Sequence, residues 1–178
     1  FVPLQQNSQE LADIKFENTR GQTTTVAEIL DQTWSDGFLV LHRGQVVAEQ
    51  YFNGMGPDTL HLMMSCSKSM TSALVGGAIV EGSLDSSQLI THYIPELAAS
   101  GFAGATVQQA LDMRVGVQFD EDYENLEGEW RDLEIATGWR EPAADYVGPR
   151  DMLSYMQILT GSVGPHGGVF NYQSILTD

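Results

Sequence analysis

The sequence from residue 65 reads Ser65-Cys-Ser-Lys-Ser-Met-Thr-Ser-Ala-Leu-Val-Gly-Gly-Ala-Ile-Val-Glu-Gly82. Small and apolar residues recur in this stretch at helical spacing, and Gly82 is a natural C-terminal cap. The pattern predicts a helix over residues 66–81, with Ser65 in its first turn. A helix built of such small residues is expected to bury the groups at its start.

Ser65 and Lys68 form an S-x-x-K arrangement at this helix start. Residues three apart lie on one face of a helix, so the lysine amine can reach the serine hydroxyl. A free hydroxyl is a poor nucleophile, and an amine whose burial disfavours its charged form can accept the proton. The alternative, that Ser65 caps the helix and Lys68 extends into solvent, stays open at this point.

Upstream of the helix, residues 37–52 predict a β-hairpin. Two runs rich in β-branched and aromatic residues flank Arg43-Gly44, which suits a tight turn. Residues 1–24 are mixed and polar and are expected to form an irregular lead-in. A short helix over residues 26–33, capped by one of the preceding threonines, is expected between the two.

Downstream, residues 65–160 are predicted to be mainly helical. One helix over residues 106–113 begins at Thr106, a good N-cap. Another over residues 149–160 begins with Pro149, a residue favoured in the first helical turn.

Two further segments are predicted to be loops. Residues 120–134 hold eight carboxylates and are expected to form an acidic loop. Residues 161–178 are expected to form a glycine-rich turn that runs into aromatic residues, among them Tyr172. A tyrosine that leaves a tight turn can present its hydroxyl at a fixed point, although an ordinary core tyrosine is the alternative.

The composition excludes several classes of protein. The 178 residues include 24 Asp and Glu against 8 Lys and Arg, a net charge of −16 that argues against nucleic acid or an anionic membrane as the partner. The single cysteine, Cys66, excludes an intramolecular disulfide and leaves too few thiolates for a zinc ribbon or an iron–sulfur site. With no visible signal peptide and no disulfide, the cytoplasm is favoured over the periplasm.

The order of elements, a hairpin followed by helices, predicts an α+β fold. Two strands do not form a sheet that is stable alone in water, and their unpaired edges would be exposed. We therefore expect residues 1–178 to be the N-terminal portion of a single domain whose remaining strands lie on residues not shown or on another chain. The alternative is a small, mostly helical domain that is complete as it stands.

The motifs together resemble a known family. Ser65-Cys-Ser-Lys-Ser69, with a hairpin before it and a Gly/Ala-rich helix after it, resembles the penicillin-recognising serine hydrolases, which include serine β-lactamases, D-Ala-D-Ala carboxypeptidases and related esterases. Further matches look most like the 6-aminohexanoate-dimer hydrolase branch and its esterase relatives. These matches are Val107-Gln-Gln-Ala-Leu-Asp-Met113, Phe119-Asp-Glu-Asp-Tyr123, Gly138-Trp-Arg140, Phe170-Asn-Tyr-Gln-Ser174 and Thr177-Asp178.

The resemblance implies a role for three residues. Ser65 would be the acylated nucleophile, Lys68 its proton partner and Tyr172 the second proton-transfer group, with no metal and no organic cofactor. It also implies a β-lactamase/transpeptidase-like fold, in which a helical region packs on an antiparallel sheet. The later strands of that sheet follow the tyrosine and carry a Lys-Thr-Gly-like motif and one oxyanion-hole N–H.

This sequence departs from the family pattern at two points. It contains neither Lys-Thr-Gly nor His-Thr-Gly, so we expect the chain to be inactive by itself. Ser174 stands two residues after Tyr172, where many β-lactamases and carboxypeptidases have Asn, and this difference weakens the β-lactamase interpretation.

Two residues are candidates for substrate binding. In this family the segment between the S-x-x-K helix and the tyrosine contributes to the substrate cleft, so Glu134 is predicted to pair with an ammonium group of a linear aminoacyl substrate. A solvated loop carboxylate is the alternative. Trp139 is predicted to line the cleft, although packing is an equally good explanation for it and for Trp130.

The function predicted from these residues is that of a serine hydrolase. It would cleave small esters or linear amides through an acyl-enzyme on Ser65. A D-Ala-D-Ala carboxypeptidase or β-lactamase is the alternative among enzymes, and a catalytically silent ligand-binding module of the same fold is the alternative from another class.

Overall fold

The computed structural model describes residues 3–125 and 127–177. Contacts between residues divide the chain into two compact units, residues 1–62 and 63–178. Parts of three predicted segments fall outside the described residues: Phe1 and Val2 of the lead-in, Leu126 of the acidic segment and Asp178 of the last motif.

The first unit contains a three-stranded sheet built on the predicted hairpin. Strands β4 (Gly37–His42) and β5 (Gln45–Tyr51) pair antiparallel. Strand β1 (Gln5–Gln6) pairs parallel with β5, so the strand order is β1-β5-β4. Arg43 and Gly44 have φ angles of 51° and 78°, the two left-handed residues of a type I′ turn, whose twist matches that of the strands. The hairpin prediction is confirmed.

The lead-in is more regular than predicted. Besides β1, it contains β2 (Lys15–Glu17) and β3 (Thr23–Thr25), which pair antiparallel. The prediction of an irregular segment over residues 1–24 is therefore wrong. These strands are only two or three residues long and mostly polar, so no alternation of apolar residues marks them in the sequence.

Helix α1 (Val26–Gln32) confirms the predicted short helix and its threonine cap. The Glu28 N–H donates to the Thr25 hydroxyl, and the Thr25 N–H donates to the Glu28 carboxylate, which together form a capping box. The hydrogen bond from the Thr25 backbone also lowers the pKa of the Glu28 carboxyl.

The second unit is mainly helical, as predicted for residues 65–160. Its helices are α2 (Ser67–Val80), α3 (Ile90–Tyr93), α4 (Val107–Leu111), α5 (Glu129–Ala136) and α6 (Met152–Ile158). Turns of 3₁₀ helix cover Met64–Cys66, Pro95–Ala99 and Ser174–Leu176. Helices α2 and α4 confirm the predicted ones, and Thr106 caps α4 through a capping box with Gln109.

Two predictions for this unit are corrected. The last part of the predicted acidic loop, residues 120–134, belongs to α5, which buries Leu133 and Ala136. Glu129 and Asp132 lie in its first turn, where the helix dipole favours them. Helix α6 does not begin at Pro149. Asp151 is its N-cap, since the Asp151 carboxylate accepts from the Ser154 N–H at 2.8 Å, and Asp is among the best N-cap residues.

The core of the second unit surrounds an extended segment, residues 113–121. Met113, Val115, Val117 and Phe119 are each at most 8% exposed, so every second side chain enters the core. The largest fully buried side chains of the protein are Tyr155, Phe102, Leu97, Ile175 and Val117. These buried side chains hold the 113–121 segment in place, so that other segments of the chain can hydrogen-bond to it.

In the part of the chain that the structure describes, no helix combines the length and the apolar character needed to cross a membrane.

Candidate active site

Ser65 and Lys68 lie on one continuous helical stretch. The 3₁₀ turn Met64–Cys66 runs directly into α2, because Cys66 and Ser67 both have right-handed helical backbone angles. Because Lys68 follows Ser65 by three positions along this stretch, the two side chains lie on the same side of it. The prediction that Ser65 lies in the first turn of this helix is confirmed.

The burial of the two residues differs. Ser65 is exposed, whereas Lys68 is 9% exposed and is the one buried residue in α2. Lysine is rarely buried to this extent in proteins. The alternative in which Lys68 extends into solvent is therefore wrong, and so is the one in which Ser65 caps the helix, because Cys66 is the N-cap residue and no side chain caps it.

The backbone just before Ser65 is strained. Met64 has a φ angle of 49°, a left-handed conformation that is uncommon for a residue with a long side chain. Strained residues of this kind cluster at functional sites, where the surrounding fold holds them in place. The Ser67 hydroxyl donates to the Met64 carbonyl at 2.8 Å and helps to hold this turn. No sequence pattern marks this strain, because methionine has no preference for the left-handed conformation.

Tyr172 is not a core tyrosine. Its side chain is 42% exposed, whereas Tyr155, the core tyrosine of this unit, is 1% exposed. The alternative of an ordinary buried tyrosine is therefore wrong. Tyr172 lies in what we call the tyrosine segment, residues 167–174, which runs from the glycine turn into the last 3₁₀ turn.

The tyrosine segment is bound to the 113–121 segment on both sides of Tyr172. Before it, the Arg114 guanidinium donates to the Gly168 carbonyl at 2.7 Å and also to the Gly167 carbonyl. The Asn171 N–H, next to the tyrosine, donates to the Met113 carbonyl at 2.9 Å. These bonds fix the backbone that carries the phenol.

Beyond Tyr172, the carboxylate of Glu121 completes the attachment of the tyrosine segment. Glu121 accepts hydrogen bonds from the backbone N–H and the hydroxyl of Ser174, at 2.8 and 2.6 Å, and from the Tyr123 hydroxyl. The bond to Glu121 raises the pKa of Tyr123 to about 12. Burial of the Tyr123 phenol and the charge of Glu121 raise this pKa as well. Neither Glu121 nor Tyr123 was predicted as a site residue.

Glu134 is already paired with two arginines. Its Oε2 atom accepts from Arg131 at 2.9 Å and from Arg140 at 2.7 Å, and its side chain is 18% exposed. Partial burial raises the pKa of this carboxyl, but the hydrogen bonds from Arg140 and Arg131 outweigh burial, and the pKa is lowered. A substrate ammonium group would have to compete with these two guanidinium groups.

The two tryptophans differ in their surroundings. Trp139 is 64% exposed, and its place in a cleft stays a prediction. Trp130 packs edge-to-face on Tyr123 with ring centroids 4.5 Å apart. Within residues 3–125 and 127–177, no group of three His, Cys, Asp or Glu side chains is placed to hold a metal ion.

Three comparisons relate this chain to known proteins. The model of the family described as Beta-lactamase matches residues 23–175. The 6-aminohexanoate-dimer hydrolase of Paenarthrobacter ureafaciens is 40% identical over 149 residues, which are 84% of this chain and 37% of that protein. A solved structure described as "Putative 6-aminohexanoate-dimer hydrolase from Bacillus anthracis" matches with a TM-score of 0.83 at 32% identity, over 99% of this chain and 46% of that one.

These matches confirm the resemblance and the fold class indicated by the motifs. The chain spans less than half the length of each of the two relatives, since the matched shares are 37% and 46%.

Proposed function

The chain belongs to the beta-lactamase family, and on that premise we propose that it carries the nucleophile of a serine hydrolase for small esters or linear amides. The observation that carries the proposal is the contrast between an exposed Ser65 and a buried Lys68 three residues later on one helical stretch. The hydroxyl is open to a substrate, and the amine is withdrawn from bulk water on the same side of the helix.

The reaction is acyl transfer in two steps. The Ser65 oxygen attacks the carbonyl carbon, and its proton passes to the Lys68 amine and through the Tyr172 hydroxyl to the leaving group. That group departs as an alcohol or amine and leaves an ester on Ser65. Water then attacks the acyl carbon and gives up a proton along the same groups. The carboxylic acid is released, and the serine hydroxyl is restored.

Activity also requires a C-terminal part of the fold. The Ser65 N–H would supply one donor to the oxyanion, and a strand beyond Tyr172 would supply the other. Loss of one such donor costs about 10²–10³ in rate. Helix α2 supports the proposal, because Met70, Leu74 and Val80 are 59%, 76% and 89% exposed, an apolar surface that a larger fold would cover. We therefore propose that this chain is inactive without that part.

The substrate class follows from the relatives. One of them is named for an amide of linear aminohexanoate, and the other carries the same name with less certainty. We propose a small linear ester or amide, with Trp139 lining the cleft. Glu134 would bind an ammonium group of the substrate only in competition with Arg131 and Arg140. Ser174, in place of Asn, opposes a β-lactam or D-Ala-D-Ala substrate.

The first experiment tests the nucleophile. A fluorescent phosphonate is reacted with the complete protein, meaning the product of the whole gene, and the adduct is located by peptide mapping. We expect one adduct, on Ser65, and none in Ser65→Ala. Ser69→Ala is the matched control, because Ser69 is exposed on the same helix but has no lysine three residues after it. A complete, folded protein without any adduct would establish the catalytically silent module instead.

The second experiment tests the substrate class. Turnover of a short-chain nitrophenyl ester, an aminohexanoate dimer and a cephalosporin is compared at equal concentrations of labelled Ser65. We expect the ester or the linear amide to be cleaved at least tenfold faster than the cephalosporin. Preferential cleavage of the cephalosporin would favour the β-lactamase alternative.

A further inference from the structure

We propose that Glu121 is a positioning residue for Tyr172, acting by holding Ser174 two residues beyond it. The inference rests on the proposed function, because it assumes that the Tyr172 hydroxyl passes a proton to the leaving group. It goes further in assigning a role to a carboxylate that does not itself touch the substrate.

The Glu121 carboxylate holds Ser174 through two hydrogen bonds. Glu121 Oε2 accepts the Ser174 N–H at 2.8 Å, and Oε1 accepts the Ser174 hydroxyl at 2.6 Å. The Tyr123 hydroxyl donates to Oε1 as well. Both oxygens of one carboxylate are thus used, and the backbone and the side chain of Ser174 are held by the same group.

The backbone is held on both sides of Tyr172. Ahead of Tyr172, the Asn171 N–H is bound to the Met113 carbonyl at 2.9 Å. Behind it, Gln173 and Ser174 are 2% and 7% exposed, and Ile175 is fully buried. With both neighbouring residues fixed, the remaining freedom of the phenol is that of its own side chain. A charged side chain thus holds the tyrosine segment on each side of Tyr172: Arg114 binds a backbone carbonyl before it, and Glu121 binds Ser174 after it.

A carboxylate holds Ser174 and Tyr123 more tightly than an amide would. An ionised carboxylate only accepts, and it accepts here from the Ser174 N–H and from two hydroxyls. A glutamine that turned its oxygen toward the Ser174 N–H would present its N–H₂ group to the two hydroxyls, which would have to reorient and accept from it instead. Charge-assisted bonds are also roughly twice as strong as neutral ones. Glu121→Gln should therefore loosen Ser174 without emptying any space in the core.

The expected effect appears in the leaving-group dependence. A nitrophenolate departs without a proton, whereas an ethoxide must be protonated as it leaves, so a misplaced Tyr172 slows the ethyl ester selectively. In the complete protein, we expect Glu121→Gln to lower kcat/KM for the ethyl ester of a short acid by about 10- to 100-fold, because kcat/KM reports acylation, the step in which the leaving group departs. The nitrophenyl ester of the same acid should change less than threefold in kcat/KM, because its leaving group needs no proton.

The control variant is Glu124→Gln. It makes the same chemical change in the same acidic segment, and the Glu124 side chain has no hydrogen-bond partner among the described residues. Rates are divided by the fraction of Ser65 that a phosphonate labels, so a loss of folded protein does not count as a loss of kcat/KM. Glu121→Asp, which keeps the charge, should recover part of the ethyl ester rate.

Ser174→Ala provides a second variant should Glu121→Gln fail to fold. It removes the hydroxyl bond and keeps the backbone bond, so we expect a smaller selective loss, of about three- to tenfold for the ethyl ester. If Glu121 acts through Ser174, the double variant should be no slower than Glu121→Gln alone.

The outcomes separate this inference from the proposed function. Two results would overturn the positioning role. In the first, Glu121→Gln slows cleavage of both esters equally. In the second, the ratio of the ethyl ester rate to the nitrophenyl ester rate is the same in Glu121→Gln and Ser174→Ala as in the control Glu124→Gln. The proposed function is tested in the same series by Tyr172→Phe and Ser65→Ala. If Tyr172→Phe keeps the wild-type ratio of the two ester rates, Tyr172 does not transfer a proton and Glu121 has no positioning role. If Tyr172→Phe changes this ratio and Glu121→Gln does not, the proposed function stands and the positioning role of Glu121 fails.

Discussion

At the scale of single residues, Lys68 differs from every other residue of α2. It is the one buried side chain of that helix, although lysine carries a charge and the neighbouring apolar residues Leu74 and Val80 are 76% and 89% exposed. Burial of a lysine is unfavourable unless another group compensates. We propose that this burial serves the proton transfer from Ser65.

The first prediction tests this role of Lys68. In the complete protein, Lys68→Ala should lower turnover of a nitrophenyl ester by about 10²–10⁴-fold, the usual contribution of a proton-transfer group. Lys68→Arg should be equally slow, because a guanidinium keeps its proton and cannot act as a base. The measurement is the steady-state rate per folded protein. Lys15→Ala, at an exposed lysine, is the control, and a Lys68→Arg variant with normal activity would contradict the proton-acceptor role.

The second prediction concerns the pH dependence of the Glu134 ion pairs. The pKa of this carboxyl is lowered in the folded protein, so its ionised form contributes stability above its unfolded pKa of about 4.3 and loses that contribution as the pH falls through the folded pKa. Glu134→Gln should lower the free energy of unfolding by about 1–2 kcal/mol at pH 7. The difference should be smaller at acidic pH, below the folded pKa, than at pH 7.

Urea unfolding of both proteins at the two pH values measures this difference. Glu124→Gln, at a carboxylate that has no partner among the residues the structure describes, should change stability by less than about 0.5 kcal/mol at either pH. The substrate role of Glu134 has a different signature: KM would rise for an aminohexanoate dimer and not for an uncharged ester. A KM effect of this kind without loss of stability would restore the predicted ammonium site.

At the scale of elements, the glycine-containing turn just before the tyrosine segment, residues 164–166, depends on close backbone contact with the 113–121 segment. A Cβ atom added at Gly116 would overlap the Gly164 carbonyl group, so the backbone would have to move. The Gly116 N–H also donates to His166 Nδ1 at 3.1 Å. Since His166 Nε2 faces the Ala103 carbonyl at 3.0 Å, the tautomer with a proton on Nε2 satisfies both contacts.

The third prediction follows from that contact. Gly116→Ala should lower the free energy of unfolding by about 2 kcal/mol or more, because backbone is displaced rather than a flexible side chain. Gly164→Ala, on the opposite side of the same contact, is the matched control: a Cβ there meets nothing within 4 Å. Thermal unfolding of both variants compares them. Equal stability of the two would show that the segments do not pack as described.

The elements that the sequence predicted were those with local signals. The hairpin was predictable from Arg43-Gly44, and helices α1 and α4 from the threonines before them, because turns and caps form between neighbouring residues. Strand β1 and the pairing of the tyrosine segment with residues 113–121 were not predictable. Those contacts join residues about 40 and 55 positions apart, and no local pattern encodes them.

The site was predicted in part for the same reason. Ser65, Lys68 and Tyr172 are marked by motifs, and the helical stretch that joins the first two is a local feature. Glu121 was hidden among eight carboxylates, and only the structure separates it from the solvated ones. In the same segment, charge alone marks Glu134 in the sequence, and only the structure shows its ion pairs with Arg131 and Arg140.

At the scale of the whole molecule, charge acts on the reactants rather than on the fold. A net charge of −16 produces a negative potential that repels anions and attracts cations over a distance set by the ionic strength. A cationic aminoacyl substrate would therefore meet the protein faster at low salt than a neutral ester. This long-range attraction requires no particular carboxylate, so it is compatible with the pairing of Glu134.

The last prediction concerns the chain by itself. Helix α2 exposes apolar side chains, and large exposed apolar patches bind hydrophobic dyes and other proteins. The isolated chain of residues 1–178 should therefore increase the fluorescence of an anilinonaphthalene dye severalfold more than the complete protein does. It should also label with phosphonate at least 10²-fold more slowly, because one oxyanion donor is absent. Leu74→Gln in the isolated chain should lower the dye signal, since Leu74 is 76% exposed. If the isolated chain labelled as fast as the complete protein, residues 1–178 would hold the whole oxyanion site, and the requirement for a C-terminal part would be refuted.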